Sequence, residues 1–182
     1  MGDFRISTFT SKLVGGGART NLMEMSLGSV PGGGSTADWV YLCKASQIPP
    51  STITPIEVPY FGRNIKVAGE RREFPALSTT VVNDEGHALK AALEQWMATF
   101  NGHKSNKADA GTFANRATFT RQMTLTMFKK DGSKDQEWKF EGCWPSNISA
   151  IDLNWDSGNT IQEFTVDWQY DYYTHAQAGT TN

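Results

Sequence analysis

Apolar residues occupy every second position through much of the chain, the pattern of strands that turn one face toward a core. The alternating runs are Ile56, Val58 and Tyr60; Ile65 and Val67; Leu77, Thr79 and Val81; Met123, Leu125 and Met127; Trp138, Phe140 and Gly142; Ile151, Leu153 and Trp155; and Phe164, Val166, Trp168, Tyr170 and Tyr172. A short apolar run at residues 39–43 indicates a further strand. The pattern predicts a mainly β protein with antiparallel sheets.

One segment has a helical period instead. From Asn83 onward, apolar residues recur at spacings of three and four: Leu89, Leu93, Trp96, Met97 and Phe100. Asn83 or Asp84 can cap the start, and Gly102 follows the last apolar position. This predicts one amphipathic helix of about 16 residues that packs on the sheets. Residues 101–118 are polar and predict a long exposed loop.

The last two alternating runs predict a hairpin. A two-residue turn at Gly158-Asn159 would pair Leu153 with Phe164 and Ile151 with Val166, and this register keeps the large apolar residues on one face. The opposite face would then carry four carboxylates, Asp152, Glu163, Asp167 and Asp171. The prediction is a hairpin with one apolar and one acidic side.

The composition and charge argue against several classes of protein. The 182 residues carry 17 basic and 19 acidic side chains, a net charge of -2, which is unlike a nucleic-acid binder. The length suits one domain, and no apolar run approaches the ~20 residues of a membrane span. Residues 1–13 are polar and lack a signal-type stretch, so we expect no secretion by the usual route. Two cysteines, Cys43 and Cys143, could pair, but two buried free thiols are the favoured interpretation.

The sequence contains no clear pattern of catalytic or metal-binding residues. Asp167 and Asp171 would lie ~13 Å apart along one strand, beyond the roughly 5–9.5 Å of a glycosidase pair. The three histidines, His87, His103 and His175, lack metal-ligand spacing. We therefore predict no enzyme activity, no metal and no cofactor. A carbohydrate-binding module or glycosidase, using the aromatics and carboxylates near residues 138–173, stays open as an alternative.

A cluster of mixed charge surrounds the strand at Ile65 and Val67. It contains Arg63, Lys66, Glu70, Arg71, Arg72 and Glu73. Such a run is either a solvated surface or a contact between subunits on a projecting hairpin. Its mixed signs suit self-association better than binding to a polyanion.

Several motifs occur in a characteristic order. They are Leu42-Cys43-Lys44-Ala45, Ile48-Pro49, Val58-Pro59-Tyr60-Phe61-Gly62-Arg63, Ile65-Lys66-Val67-Ala68-Gly69-Glu70-Arg71, Thr80-Val81-Val82-Asn83-Asp84-Glu85, Gly142-Cys143-Trp144-Pro145-Ser146-Asn147-Ile148, Leu153-Asn154-Trp155-Asp156-Ser157 and Ile161-Gln162-Glu163-Phe164-Thr165-Val166. Over residues 19–173 the chain resembles the major tail tube proteins of contractile-tailed bacteriophages.

The resemblance implies two packed antiparallel sheets with one flanking helix. It also implies a structural virion protein whose hexameric rings stack into the inner tail tube, with genome DNA passing through the lumen without specific binding. Implied partners are further copies of the chain, the sheath protein, baseplate tube-initiation proteins, the tape measure protein and the tail terminator. Assembly would take place in the host cytoplasm. The alternative within the same structural class is the tube of a type VI secretion or contractile bacteriocin device.

These expectations divide the chain into a flexible arm (1–18), a tail tube domain (19–173) and a tail (174–182). Under this interpretation Arg63, Lys66, Glu70, Arg71 and Arg72 are candidate contacts between subunits or stacked rings. The four carboxylates Asp152, Glu163, Asp167 and Asp171 are candidate residues of the lumen wall.

Overall fold

The computed structural model describes residues 5–70 and 72–177. Its helices are α1 (Ile6–Lys12), α2 (Trp39–Leu42), α3 (Ala88–Phe100) and α4 (Arg116–Phe119), with a 3₁₀ turn at Val14–Gly16. Its strands are β1 (Met23–Leu27), β2 (Cys43–Ala45), β3 (Thr52–Ile53), β4 (Ile56–Tyr60), β5 (Arg63–Val67), β6 (Arg72–Glu73), β7 (Leu77–Val82), β8 (Arg121–Phe128), β9 (Lys134–Ile148), β10 (Glu163–Gln169) and β11 (Tyr172–Gln177). The mainly β prediction is confirmed.

Seven of the strands form one antiparallel assembly folded into two layers. Sheet A has the order β1–β8–β9–β11, and sheet B has the order β9–β10–β7–β2. The 15-residue strand β9 belongs to both, because its first part pairs with β8 and β11 and its last part with β10. Two further pairs, β3–β6 and β4–β5, lie outside this assembly. The predicted architecture of two packed antiparallel sheets with a flanking helix is confirmed.

The change from sheet A to sheet B takes place at Gly142. This residue has φ +72°, a left-handed conformation that glycine adopts without a Cβ clash. Before it the buried positions of β9 are even-numbered (Trp138, Phe140), and after it they are odd-numbered (Cys143, Pro145). Such a one-residue shift is the signature of a β-bulge, which bends a strand and increases its twist. Gly142 therefore lets β9 direct side chains into the core both where it belongs to sheet A and where it belongs to sheet B.

Three fully buried tryptophans meet between the sheets and α3. The Trp168 ring lies 5.6 Å from Trp39 and 5.8 Å from Trp96, centroid to centroid. Trp168 Nε1 donates a hydrogen bond to Thr79 Oγ1 on β7 (2.9 Å), and Trp96 Nε1 donates to the Phe119 carbonyl (2.9 Å). Aromatic side chains bury the largest areas of any residue type. This cluster therefore anchors α3 and the loop before β8 to sheet B.

Helix α3 confirms the helical period but begins later than predicted. Leu89, Leu93 and Trp96 are buried on one face. Residues 83–87 form a turn, and the Asp84 carboxylate accepts a hydrogen bond from the Ala88 N–H at 3.1 Å. Asp84 thus satisfies one of the unpaired N–H groups at the helix start from a position four residues upstream.

Residues 39–43 differ from the prediction of a strand. They form the single turn of α2 followed by the start of β2. The Leu42 N–H donates to the Asp38 carbonyl at 3.0 Å, closing that turn. The turn places Trp39 in the core while Tyr41 stays exposed. A run this short has the same apolar composition in either conformation, so packing of Trp39 decides the outcome.

The predicted hairpin of residues 151–166 is wrong. Val166 lies opposite Ile148 of β9, and Phe164 lies opposite Val81 of β7. Both edges of β10 are therefore occupied, and no edge remains for residues 151–155. Residues 149–162 form an irregular loop instead.

The ends of the folded region also differ in detail from the predicted division. Residues 6–16 form α1 and the 3₁₀ turn. At the other end β11 continues to residue 177, four residues past the boundary predicted at 173. The remaining residues of the predicted arm and tail, 1–4 and 178–182, lie outside the described residues.

Candidate assembly surfaces

Within the described chain, sheet A has an unpaired edge strand on each side. β1 pairs only with β8, and β11 pairs only with β9. The Phe128 N–H donates to the Leu22 carbonyl (2.9 Å), and the Gly28 N–H donates to the Gln122 carbonyl (3.4 Å). Even-numbered residues of β1 and its flanks therefore bond to β8. Since an antiparallel ladder alternates, the backbone groups of the odd-numbered residues of β1 face away from the sheet.

The same alternation carries across the sheet to β11. Odd-numbered residues of β8 bond to even-numbered residues of β9, through pairs such as Leu125 with Trp138. Odd-numbered residues of β9 are left to bond β11, through pairs such as Lys139 with Thr174. The N–H and C=O groups of Tyr173 and His175 consequently face the free edge. Both edges of sheet A are open to pairing with another strand.

One face of sheet A is polar over all four strands. The register aligns its side chains in rows that cross the sheet, because directly opposite residues share a face. One row is Glu24, Thr126, Glu137 and Ala176; the next is Ser26, Thr124, Lys139 and Thr174; the third includes Glu141 and Tyr172. The opposite face holds the core residues Met25, Met123, Leu125, Trp138 and Phe140.

This polar face is acidic. Its rows hold three glutamates, Glu24, Glu137 and Glu141, and one lysine, Lys139, while Lys134 at the start of β9 also reaches a Glu137 carboxylate oxygen, with its Nζ at 3.8 Å. The Lys139 Nζ lies 3.2 Å from a Glu137 carboxylate oxygen, and the Gln122 amide donates to Glu141. Three of the remaining positions are threonines, Thr124, Thr126 and Thr174. Sequence reasoning missed this surface, because its members lie on four strands and only the register brings them together.

The β4–β5 hairpin has an apolar face that the described chain does not cover. Its turn, Phe61-Gly62, has positive φ at both residues (+41° and +81°), as a type I′ hairpin turn requires. The register places Val58 opposite Ile65 and Ile56 opposite Val67, so that all four side chains share one face. Each of these four is between 45% and 52% exposed, and Phe61 at the tip is 93% exposed.

The charged cluster predicted at this hairpin is exposed where it is described. Arg63 begins β5, and Lys66 lies on the opposite face from Ile65, with its Nζ 3.9 Å from a Glu57 carboxylate oxygen. Glu70 follows the hairpin, and Arg72 lies opposite Ile53 at its base. Arg71 falls outside the described residues.

The four predicted lumen carboxylates do not share one hairpin face. Glu163 and Asp167 are on β10 of sheet B, where Glu163 accepts a hydrogen bond from Lys44 Nζ at 2.6 Å and Asp167 accepts one from the Asn147 amide at 3.0 Å. Asp171 follows β10 and pairs with Arg116 of α4. Asp152 lies in the irregular loop of residues 149–162.

That loop exposes large apolar side chains. Trp155 is fully exposed, and Leu153 and Ile161 are more than two-thirds exposed. The Asn154 side chain accepts a hydrogen bond from the Asp156 N–H at 3.0 Å, forming a local turn around Trp155. We name residues 149–162 the Trp155 loop.

A further exposed surface is an open groove of about 520 Å³ between the N-terminal segment and the β8–β9 turn. Its lining includes the apolar residues Val14, Leu22 and Ile48 and the charged residues Lys130 and Asp131.

Burial determines the protonation state of both cysteines. Burial raises the pKa of Cys43 to about 12 and that of Cys143 to about 12, so both unpaired thiols are neutral near pH 7. The predicted interpretation of two buried free thiols is confirmed. Across residues 5–70 and 72–177, no three or more His, Cys, Asp or Glu side chains are grouped to hold a metal ion. No helix in the same ranges is long and apolar enough to cross a membrane.

Open sheet edges and uncovered apolar surfaces define a class of β protein that completes its burial by pairing with other chains. A family model described as phage tail tube protein matches residues 18–176. The chain belongs to this family of structural tail proteins, and the resemblance seen in the ordered motifs is confirmed.

Curated relatives agree with this assignment. The chain is 29% identical over 157 residues to the tail tube protein gp19 of Enterobacteria phage T4, covering 86% of this chain and 90% of that protein. It is 28% identical over 135 residues to the tail tube protein of Serratia phage KSP90, covering 74% and 73% of the two chains.

Solved structures share the fold at low sequence identity. A chain of an extracellular contractile injection system, from a sheath–tube complex in the extended state, superposes with a TM-score of 0.58 at 14% identity, covering 92% of this chain and 97% of that chain. A chain of the anti-feeding prophage tube-terminating cap superposes with a TM-score of 0.60 at 15% identity, covering 88% and 91%.

Proposed function

We propose that this chain is a non-enzymatic subunit whose hexameric rings stack into the inner tube of a contractile phage tail and conduct genome DNA during ejection. The observation that carries the proposal is sheet A, which combines two open edges with a polar, acidic face. The family and its curated relatives supply the tail tube context.

The strand number of sheet A supports ring closure. Neighbouring strands in the sheet run antiparallel, so with four strands β1 and β11 run in opposite directions. The β11 edge of one copy can therefore pair antiparallel with the β1 edge of the next copy, and repetition keeps every junction identical. A heterologous contact that closes on itself produces a ring and leaves neither edge of sheet A exposed.

We assign the lumen wall to the polar face of sheet A. If the sheets of six copies join, their apolar faces stay in the cores, and the rows of Thr, Glu and Ser face the bore. Excess carboxylate repels phosphate, so DNA would slide past without being held, since each neutralised phosphate strengthens binding. The carboxylates Asp152, Glu163, Asp167 and Asp171, on sheet B and its loops, are the competing assignment predicted from the sequence.

We assign contacts between subunits or stacked rings to the hairpin region with Arg63, Lys66, Glu70, Arg71 and Arg72. Its support is the uncovered apolar face on the same hairpin. Charge reversal of Arg71 and Arg72 to Glu should shorten or abolish tubes, measured by electron microscopy, whereas tubes of normal length would reduce the cluster to a solvated surface.

Further partners are proposed by analogy. The related structures include a sheath–tube complex and a tube-terminating cap. We propose that this chain likewise contacts a sheath protein and a terminator, with baseplate and tape measure proteins at its other contacts. It would assemble in the host cytoplasm and act in the virion, needing no cofactor and binding no membrane. The tube of a bacterial injection device is the alternative; neighbouring capsid, portal and terminase genes would exclude it.

The ring is tested at the β11 edge with His175. His175→Pro removes an N–H that faces the free edge, and His175→Ala removes the same ring, which stacks on Trp138 at 4.8 Å, but keeps the N–H. We expect rings or tubes of uniform bore from the wild type and from His175→Ala, and their loss from His175→Pro. A wild-type protein that stays monomeric with sheath and baseplate present would contradict the proposal.

The lumen wall is tested by charge reversal. We expect Glu24→Lys with Glu137→Lys to leave tubes intact and to slow DNA ejection, measured by dye release from assembled virions. The matched variant, Glu163→Lys with Asp167→Lys, reverses as many charges on β10 in the competing assignment and should leave ejection unchanged. The reverse result would move the lumen wall to sheet B.

A further inference from the structure

The apolar face of the β4–β5 hairpin needs a covering surface. Ile56, Val58, Ile65 and Val67 are each about half exposed, and together they form one contiguous face. Isolated two-stranded hairpins are marginal in water. Exposed apolar patches of this kind mark sites of association. The hairpin itself carries one acidic residue, Glu57, against two basic residues, Arg63 and Lys66.

The Trp155 loop has the complementary composition. It exposes Leu153, Trp155 and Ile161 beside two carboxylates, Asp152 and Asp156. No Lys or Arg occurs in residues 149–162. Both surfaces are therefore apolar, and they carry charge of opposite sign.

We propose that in the assembled protein the apolar face of the β4–β5 hairpin of one copy is covered by Leu153, Trp155 and Ile161 of a neighbouring copy. This inference rests on the proposed tube function, which supplies the neighbouring copy. The fully exposed Trp155 is the side chain that gains most from burial, because tryptophan dominates interface energetics. Arg63, which has no ion-pair partner among the described residues, gains carboxylate neighbours in Asp152 and Asp156.

Charge decides between this pairing and self-pairing of either surface. Hairpin against hairpin would bring like positive charges together, and loop against loop would bring four carboxylates together. Such isologous contacts also close on two copies. A hairpin-to-loop contact joins different surfaces, so each copy both donates and accepts it and the assembly can continue.

The contact is tested by mixing two variants that each carry one introduced cysteine. Val58→Cys places a thiol on the apolar face of the hairpin, and Leu153→Cys places one in the loop while keeping Trp155. The native thiols of Cys43 and Cys143 do not interfere, because burial raises the pKa of each to about 12. One variant carries a size tag, so a mixed dimer after oxidation identifies a cross-link between copies.

We expect mixed dimers from the pair Val58→Cys and Leu153→Cys, and a ladder of higher oligomers from the double variant. The matched control is Lys66→Cys with Leu153→Cys, since Lys66 lies on the opposite face of the same hairpin. It should give several-fold less mixed dimer. Cross-links within Val58→Cys alone, or between Val58→Cys and Val14→Cys in the groove, would overturn the proposal in favour of those surfaces.

A second measurement separates contact from fold. Trp155→Ser should raise the protein concentration needed for assembly by about tenfold or more, the scale expected for truncating a buried interface aromatic. Tyr41→Ser removes another strongly exposed aromatic and should leave it unchanged. Both variants should keep the wild-type unfolding midpoint. Equal assembly by the two variants would contradict the proposal.

The outcomes also separate this inference from the proposed function. Tube formation by the wild type, together with no cross-link between Val58→Cys and Leu153→Cys, would overturn the contact and leave the tube intact. A wild-type chain that forms neither rings nor tubes would overturn both.

Discussion

Two hairpins of this protein have the same alternation of apolar and polar residues and opposite burial. In β8–β9 the apolar face carries Met123, Leu125 and Phe140, all buried in the core. In β4–β5 the apolar face carries Val58 and Ile65, both about half exposed. Alternation therefore encodes a face that must be covered, but it does not say whether the same chain or another one covers it.

The largest effect on stability is expected for a substitution in the covered hairpin, β8–β9. Phe140→Ala removes a fully buried ring and should lower the free energy of unfolding by about 3–5 kcal/mol, measured by urea denaturation of the monomer. Ile65→Ala, the matched change on the uncovered hairpin, should cost below about 1 kcal/mol and act on assembly instead. Equal losses from the two variants would show that the hairpins are covered alike.

An intermediate effect is expected at the bend that lets β9 follow the core. Gly142→Ala must hold φ +72° with a Cβ placed 2.3 Å from an Asp171 oxygen. Gly132→Ala must hold φ +82° in open space. Left-handed strain costs about 1–3 kcal/mol in either variant. Only the new side chain at residue 142 also meets Asp171, so thermal denaturation should show a larger loss of stability for Gly142→Ala. A smaller loss there would mean that the Asp171 side chain moves away freely.

The smallest effects should come from the polar faces of the two hairpins. The Lys139–Glu137 pair on β9 (3.2 Å) and the Lys66–Glu57 pair on β4–β5 (3.9 Å) are both partly exposed. Such surface pairs contribute about 0–1 kcal/mol each. Lys139→Ala and Lys66→Ala should therefore shift the urea midpoint little and by similar amounts. A clearly larger loss for Lys139→Ala would mean that the acidic face of sheet A depends on Lys139.

Local patterns were sufficient to predict elements that are covered by the same chain and whose apolar repeat extends over many residues. The spacing of Leu89, Leu93 and Trp96 predicts α3, and the alternation at Phe164, Val166 and Trp168 predicts β10. The strand β1 was missed although Met23, Met25 and Leu27 alternate with polar residues as in the predicted strands. Most of β11 was missed because residues such as Thr174 and His175 are polar and face solvent at a sheet edge.

The Trp155 loop shows the opposite failure. Ile151, Leu153 and Trp155 alternate like a strand, and adjacent segments usually pair. Both edges of β10 are taken by β9 and β7, however, and only long-range register reveals this. The error also affects the acidic face predicted there, since Asp152, Glu163, Asp167 and Asp171 do not share one hairpin. Their place in the lumen wall stays a prediction. The acidic face of sheet A has no local signal, because Glu24 and Glu137 are more than a hundred residues apart in sequence.

The single strand that joins the two layers has a mechanical meaning. β9 runs from sheet A through Gly142 into sheet B, so the layers are connected by covalent bonds along one extended backbone. Sliding one layer over the other would require breaking the ladders on both sides of that strand at once. If sheet A lines the bore as proposed, a push on sheet B would pass directly to the wall of the bore, and the subunit would move as one stiff unit.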